Sequence, residues 1–334
     1  MDLKGKKRAL GTAALVLLLL MALPMHALAV EALVPMGCAV GIELETGGVM
    51  VAGFSEVQTA DGARSPAASA GMKTGDVITA VDGRSTPDAQ ALLSVLTSLS
   101  GGPVDVTARR GESELLFHVT PARSEDGRWQ LGLWLRSGVS GIGTVTWYDP
   151  DSGRFGALGH GINDVESGKL LPFDGGTITG TAVVDVVKGA PGAPGELCGQ
   201  PDRAQVLGSL DRNTGCGIFG VAGFADAGQP VPIAAPQEVH LGPASILATV
   251  NGGGVAEYSV EISRIYRQPE EHRFLMLTVT DPQLLAQTGG IVQGMSGSPI
   301  LQDGKLIGAV THVLLSDATR GYGIGIQDML DAAA

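Results

Sequence analysis

Ser296 stands in the run Gly294-Met295-Ser296-Gly297-Ser298-Pro299. A serine bracketed by glycines permits a sharp turn, an exposed hydroxyl and backbone N–H groups aimed at one point, as a nucleophile with an oxyanion site requires. Ser298 is the poorer candidate, because Pro299 biases it to extended backbone. The hydroxyl needs a base. Of the six histidines, His160 lies in Phe155-Gly156-Ala157-Leu158-Gly159-His160-Gly161, at an apolar strand end. Its flanking glycines leave the ring free to point into a cleft. His312, in Ala309-Val310-Thr311-His312-Val313-Leu314, alternates like a buried strand residue and is the main rival. His26 falls in the N-terminal apolar region, His118 in a small first domain, and His240 and His272 in polar or proline-bounded context. An aspartate should orient the base. Asp281, in Thr278-Val279-Thr280-Asp281-Pro282, ends an apolar strand just before the serine loop; Asp164, Asp174 and Asp185 are its rivals.

These residues must be carried mostly by strands. The chain has 334 residues, 44% hydrophobic and 17% charged, which suits about two globular domains. Its 50 glycines and 18 prolines disfavour long helices and favour turns and tight hairpins. From residue 131 on, short apolar stretches are cut by Gly and Pro: Ile142–Tyr148, Thr177–Val187, Val206–Leu210, Ile246–Val250, Ala256–Ile265, Phe274–Val279 and Leu306–Val313. That spacing predicts a barrel or sandwich. Pro191, Pro194 and the glycines of 188–195 make a loop irregular enough to line a site. The polar stretch 122–130 reads as a linker. The three cysteines, Cys38, Cys198 and Cys216, show neither C-x-x-C nor a Cys/His cluster, so no metal site is expected. Whether Cys198 and Cys216 bridge stays open.

Residues 32–121 form a separate β-rich unit with Val40, Ile42 and Leu44 alternating and a strand at Val77–Val81. Thr86 is expected to cap a helix with Pro87 at its first position, and Leu92, Leu93, Leu96 and Leu99 share one face. A hairpin follows over Arg110-Gly111. The pattern Ala70-Gly71-x-x-x-Gly75-Asp76-x-Ile78-x-x-Val81-x-Gly83 makes this unit resemble a PDZ domain. PDZ domains bind an extended peptide as an added strand. The resemblance implies a carboxylate loop at Met36-Gly37-Cys38-Ala39 and a pairing edge at Val40-Gly41-Ile42.

Residues 4–8 are Lys-Gly-Lys-Lys-Arg, followed by an uncharged run Ala9–Leu23 and Ala27-Leu28-Ala29. This is the order of an export signal, cleaved or retained as an anchor over residues 1–29, and it places the remainder outside the cytoplasm. The whole chain carries −12, and the basic segment makes the remainder more acidic still. Nucleic acid is therefore disfavoured as a partner.

The loop around Ser296 resembles the nucleophile loop of chymotrypsin-like serine proteases, which would make Gly294 and Ser296 the oxyanion donors. Met295 replaces the acidic residue that receives a newly cut N-terminus in activated members. The chain as a whole resembles the SpoIVB peptidase family of spore-forming bacteria. The resemblance rests on Asp149-Pro150 through His160, on Asn213-Thr214-Gly215-Cys216-Gly217-Ile218-Phe219-Gly220 and on Gly289-Gly290-Ile291-Val292-Gln293-Gly294-Met295-Ser296-Gly297-Ser298-Pro299-Ile300. It implies a mainly β protein: a PDZ domain, then a chymotrypsin-like barrel peptidase over 131–334. It assigns Ser296 as nucleophile, His160 as base and Asp281 as orienting acid, with no cofactor. It further implies an exported serine endopeptidase, acting between mother cell and forespore. Such an enzyme cleaves its own N-terminal region and a membrane-bound regulator that releases processing of a late sigma factor. The alternatives are a non-catalytic PDZ adaptor with a degenerate peptidase fold, and an exported quality-control protease, in which PDZ domains follow the protease instead.

Overall fold

β1 (Ala32–Pro35) and β2 (Ala39–Glu45) are the first elements of the described residues. The computed structural model describes residues 31–111, 113–136, 138–164, 168–266 and 273–334. The expected export segment at 1–29, His26 and His272 lie outside them. After β2 the chain leaves to build a separate sheet from β3 (Val49–Phe54), β4 (Val77–Val81), β5 (Val104–Arg110), β6 (Ser113–Val119) and β7 (Leu133–Arg136), in the order β7–β3–β4–β5–β6. Helix α1 (Ala89–Leu96) covers it. Val49, Val51, Ile78, Leu92, Val95, Val106 and Phe117 form its core. This is the PDZ-like unit. Its Gly-Asp motif has a structural reason: fully buried Asp76 receives both Nε and Nη2 of Arg110, at 2.6 and 2.8 Å, which pays for burying the carboxylate. The cap of α1 is Asp88, whose carboxylate accepts from Ala91 N at 2.8 Å, not Thr86, which is buried and donates to the Ile78 carbonyl. Accordingly Leu92 and Val95 face inward while Leu93 is 54% exposed.

The chain re-enters as β8 (Val139–Tyr148), then β9 (Arg154–Ala157), β10 (Gly175–Val187), β11 (Glu196–Thr214) and β12 (Gly217–Ala222). Pairing runs β9–β12–β11–β10–β2–β8, and β9 also pairs with β8, so among the described residues these strands close into a barrel. A second closed barrel follows: β13 (Gly242–Ala248), β14 (Ala256–Ile265), β15 (Leu275–Val279), β16 (Pro299–Gln302), β17 (Lys305–Leu314) and β18 (Asp317–Gly325). Ile246, Ile262, Leu275, Leu277, Ile300 and Val310 fill it. Between β15 and β16 lies α2 (Pro282–Thr288), and α3 (Ile326–Ala333) ends the chain. The mainly β expectation, a PDZ unit with a barrel-type peptidase domain, holds.

Two expected boundaries change. Residues 32–45 do not belong to the PDZ-like unit: β2 lies between β8 and β10, paired antiparallel on both edges, so that Ile42 faces Gly141 on one side and Ile178 on the other. The PDZ-like unit is thus an insertion between two hydrogen-bonded strands of the first barrel. The stretch 122–130 is no linker either. It folds as a small antiparallel pair, Ala122–Arg123 with Trp129–Gln130. Trp129 lies where any side chain at Gly101 would stand, and Leu131, just after the pair, accepts from Ala67 N at 2.9 Å. Alternation of Val40, Ile42 and Leu44 is demanded by any half-buried strand, which is why it did not distinguish the two sheets.

Candidate active site

The serine loop runs from the left-handed Gly289 that ends α2 to Pro299 at the start of β16. Ser296 and His160 come from different barrels and line one cavity of about 970 Å³, together with Ile42, Ile142, Thr311, His312 and Tyr322. The Ser296 hydroxyl donates to the Thr311 carbonyl at 2.6 Å. His160 follows β9 through Leu158 and Gly159, both with positive φ (69° and 68°). A leucine in that region is uncommon and costs strain. It is held by Leu158 N donating to Thr144 O at 3.2 Å, and Gly297 of the serine loop packs directly on the Leu158 backbone, where a Cβ would clash. The glycines beside His160 therefore serve close packing rather than freedom: a side chain at Gly161 would meet the Thr214 carbonyl at 2.6 Å.

The His160 ring bonds the Gly161 carbonyl through Nδ1 at 2.9 Å. A carbonyl only accepts, so Nδ1 carries the proton and Nε2 keeps the lone pair a general base needs. Burial lowers the His160 pKa below the ordinary histidine value, against the opposing effect of the Gly161 bond. The ring is neutral near pH 7. His312, expected as a buried strand residue, instead faces the cavity, its ring 4.8 Å from that of His160 and tilted by 36°. The β17–β18 ladder is irregular between Val310 and Val313, which turns His312 out of the barrel.

Asp281 does something other than orient His160. It is the N-cap of α2: its Oδ1 accepts from Gln283 N and Leu284 N, each at 2.9 Å, and its Oδ2 from Ser259 N at 3.3 Å. Asp-Pro before an apolar helical turn is a capping signature, and it competes with the catalytic reading of the same residues. Of the rivals, Asp174 packs at Gly47 and Asp185 accepts from Val186 N on the β10–β11 hairpin. The Ser–His pair thus has a backbone carbonyl, not Asp281, at the third position.

The oxyanion donors emerge by accounting for the loop's backbone groups. Gln293 N donates to Gly195 O and Gln293 O accepts from Leu197 N; Met295 N donates to Val292 O and Met295 O accepts from Ser298 N. Gly297 N donates to Val310 O, and Ser296 O accepts from Thr144 N. The carbonyls of Gly294 and Gly297 accept from the hydroxyls of Thr144 and Thr146, at 2.7 and 2.8 Å. The amides of Gly294 and Ser296 have no backbone partner among the described residues; that of Val292, ahead of them in the loop, has none either. The amides of Gly294 and Ser296 are thus available for the oxyanion role expected of them from the sequence. Thr144, Thr146 and Leu197 carry no sequence signal, since they read as ordinary strand residues.

The expected peptide groove at Gly37, Cys38, Ala39, Val40, Gly41 and Ile42 is occupied by the protein itself. Val40 is fully buried, and Ile42 lines the catalytic cavity. The sheet of the PDZ-like unit has two edge strands, β6 and β7; β7 pairs with β3 on one side and with no strand on the other among the described residues. Trp134 on β7 is 64% exposed. Leu131-Gly132-Leu133 at its start, with Gly132 at φ 70°, is the signal that could have located it. Cys38, Cys198 and Cys216 form no disulfide, and burial pushes Cys38 up to about 11 and raises Cys216 as well. Neither is poised as a nucleophile.

The chain is similar to a candidate zinc metalloprotease of Xylella fastidiosa (strain Temecula1), 34% identical over 89 residues, 26% of this chain and 19% of that protein. A second, from Agrobacterium fabrum (strain C58), is 28% identical over 204 residues, 60% of this chain and 49% of that one. The chain thus spans about a fifth to a half of the length of these curated relatives. Among solved structures, the PDZ domain of an SdrC-like protein from Listeria monocytogenes is 24% identical, covering 27% of this chain and 87% of its own, at a TM-score of 0.22. The active form of the Rv3671c protease from M. tuberculosis is 15% identical over 58% of this chain and 73% of its own, at 0.33. A PDZ family model matches residues 60–110, and the SpoIVB peptidase S55 model matches residues 127–330. The second match takes in both His160 and Ser296 and more than half of the chain, and the chain therefore belongs to the SpoIVB peptidase S55 family.

Proposed function

We propose that the protein is an exported serine endopeptidase that cuts its own N-terminal region and a membrane-associated regulator in signalling between compartments during sporulation. The observation that carries the hydrolytic part is the placement of Ser296 and His160 on one cavity wall, with the amides of Gly294 and Ser296 unspent beside them. The membrane and sporulation parts are supported by the family and by the export signal in the sequence.

Catalysis starts from a turned-away hydroxyl. Ser296 Oγ must give up Thr311 O and rotate toward His160. Nε2 of His160 then takes its proton as Oγ attacks the scissile carbonyl carbon. The negative oxygen meets the amides of Gly294 and Ser296. His160 returns the proton to the leaving amine, and water repeats the sequence to release the acyl group. The Gly161 carbonyl holds Nδ1–H throughout and supports the imidazolium as a dipole, more weakly than a carboxylate would.

The free edge of β7, whose Leu133 and Leu135 pack on the same core as Leu92 and Val95 of α1, is where the PDZ-like unit would take an extended peptide as an added strand. Expressed in a host that exports it, the wild-type chain should react with a fluorophosphonate and yield a shorter product. Ser296→Ala should do neither. Shortening of Ser296→Ala at the wild-type rate would assign the cut to the host, and unchanged labelling would move the nucleophile elsewhere.

A further inference from the structure

We propose that the segment Lys188–Leu197, which joins β10 to β11 in the first barrel, sets the oxyanion-binding peptide of this enzyme, with the Leu197 amide as the positioning contact. The proposal rests on Ser296 being the nucleophile.

In a trans peptide the C=O and N–H point in opposite directions. The Gln293 carbonyl accepts from Leu197 N at 2.8 Å, so the Gly294 N–H of the same plane is turned away from β11. Gln293 N also donates to Gly195 O at 3.1 Å, giving a parallel bridge between Glu196 and Gln293. The segment grips the serine loop by both faces of one residue. It is itself anchored on the second barrel. Gly189 N donates to Thr288 O and Gly192 N to Leu315 O, both at 2.8 Å, and Lys188 Nζ donates to Ala286 O at 2.6 Å. Ala190 and Ala193 close its tip by exchanging two bonds at 2.8 Å. Gly195, at φ 67°, is required where a Cβ would stand 2.5 Å from Gly189 N and Val187 O.

Something must hold the Gln293–Gly294 plane. Gly294, at φ 94°, has no side chain to resist a flip. Met295, fully buried, offers no charge to an N-terminus. The hold comes instead from a backbone strap of the other barrel. With the strap released, the peptide is free to turn and the site loses one of its two donors.

A strand residue sends its N–H and C=O to one side, so Leu197 N, aimed at Gln293, is not part of the β10–β11 ladder. Leu197→Pro removes this bond without removing a ladder bond. Leu197→Ala keeps the N–H and removes the packing side chain, which is 5% exposed. In the full chain, Leu197→Pro should lower kcat and fluorophosphonate labelling by about 100-fold or more. KM should stay within about 3-fold, because ground-state binding does not use the donor. Leu197→Ala should keep kcat within about 5-fold of wild type. A folded Leu197→Pro protein with near-wild-type kcat, or a Leu197→Ala loss as large as that of Leu197→Pro, overturns the proposal. If Leu197→Pro lacks the wild-type circular dichroism, the double variant Pro191→Gly, Pro194→Gly decides. It loosens the strap and should lower kcat by about 5-fold at constant KM; an unchanged kcat overturns the proposal. Ser296→Ala is run alongside: labelling that survives in it removes the nucleophile assignment and the proposal with it, whereas labelling lost in Ser296→Ala beside near-wild-type kcat in Leu197→Pro overturns the strap alone.

Discussion

The hydroxyl of Thr144 donates to the carbonyl of Gly294 at 2.7 Å, and Thr144 N donates to Ser296 O at 3.1 Å. Strand β8, on which the chain returns from the PDZ-like insertion, therefore holds the serine loop directly. The same strand pairs with β2, on which the chain departs, and Ile42 and Ile142 of these two strands wall the cavity. Both tethers of the insertion thus end in the catalytic wall.

Removing the hydroxyl of Thr144 should misplace the loop without unfolding the barrel. Thr144→Val should lower kcat by about 10-fold, the worth of one hydrogen bond. KM and melting temperature should stay close to wild type, and Thr144→Ser should restore the rate. A matched fall in Thr144→Val and Thr144→Ser would show that packing, not the bond, is at work.

Burial lowers the His160 pKa. The active base is the neutral ring, so activity is lost as pH falls through the folded-state pKa. The acid limb of kcat/KM should therefore lie below the ordinary histidine value of about 6.5. The stability effect has the same sign. The unfolded chain binds the proton more readily, so stability declines as pH drops below about 6.5. Steady-state rates from pH 4.5 to 9 and thermal melts over the same range measure both. An acid limb above 6.5 would contradict the burial account.

Asp281 caps α2, and its loss should cost stability rather than chemistry. Asp281→Ala should destabilise by about 1 kcal/mol, as N-cap deletions do. Activity per folded molecule should remain within a few-fold of wild type. A drop of about 10⁴-fold at unchanged stability, as for the acid of a serine triad, would restore the role its position in the sequence suggested.

Ser298 is fully buried and its hydroxyl has no partner among the described residues. Ser298→Ala removes an unsatisfied polar group, so it should leave stability unchanged or raise it by up to about 1 kcal/mol. Activity should persist, in contrast to Ser296→Ala. Chemical denaturation and labelling together check this, and loss of labelling in Ser298→Ala would reverse the two serines.

The sequence by itself determined what is local. The turn around Ser296 is written in its glycines, and the placement of His160 after an apolar strand needs no distant partner to be recognised. The core of the PDZ-like unit follows from Gly75-Asp76 and the alternating strand after it, within a few residues. What the tertiary structure decided lies in bonds between segments far apart in the chain. Ala39–Glu45 has the same alternation whichever sheet takes it; its pairing with β8 and β10 put it in the peptidase barrel. Asp281 is equally plausible as cap or catalytic acid from its neighbours, until Gln283 N, Leu284 N and Ser259 N claim its oxygens. The direction of the Gly294 N–H depends on Leu197, nearly a hundred residues earlier, and that of the next peptide plane on Thr144, 150 residues from Gly294. A backbone amide leaves no trace in residue type, so a site held by main-chain bonds between two barrels becomes visible only when the barrels are closed.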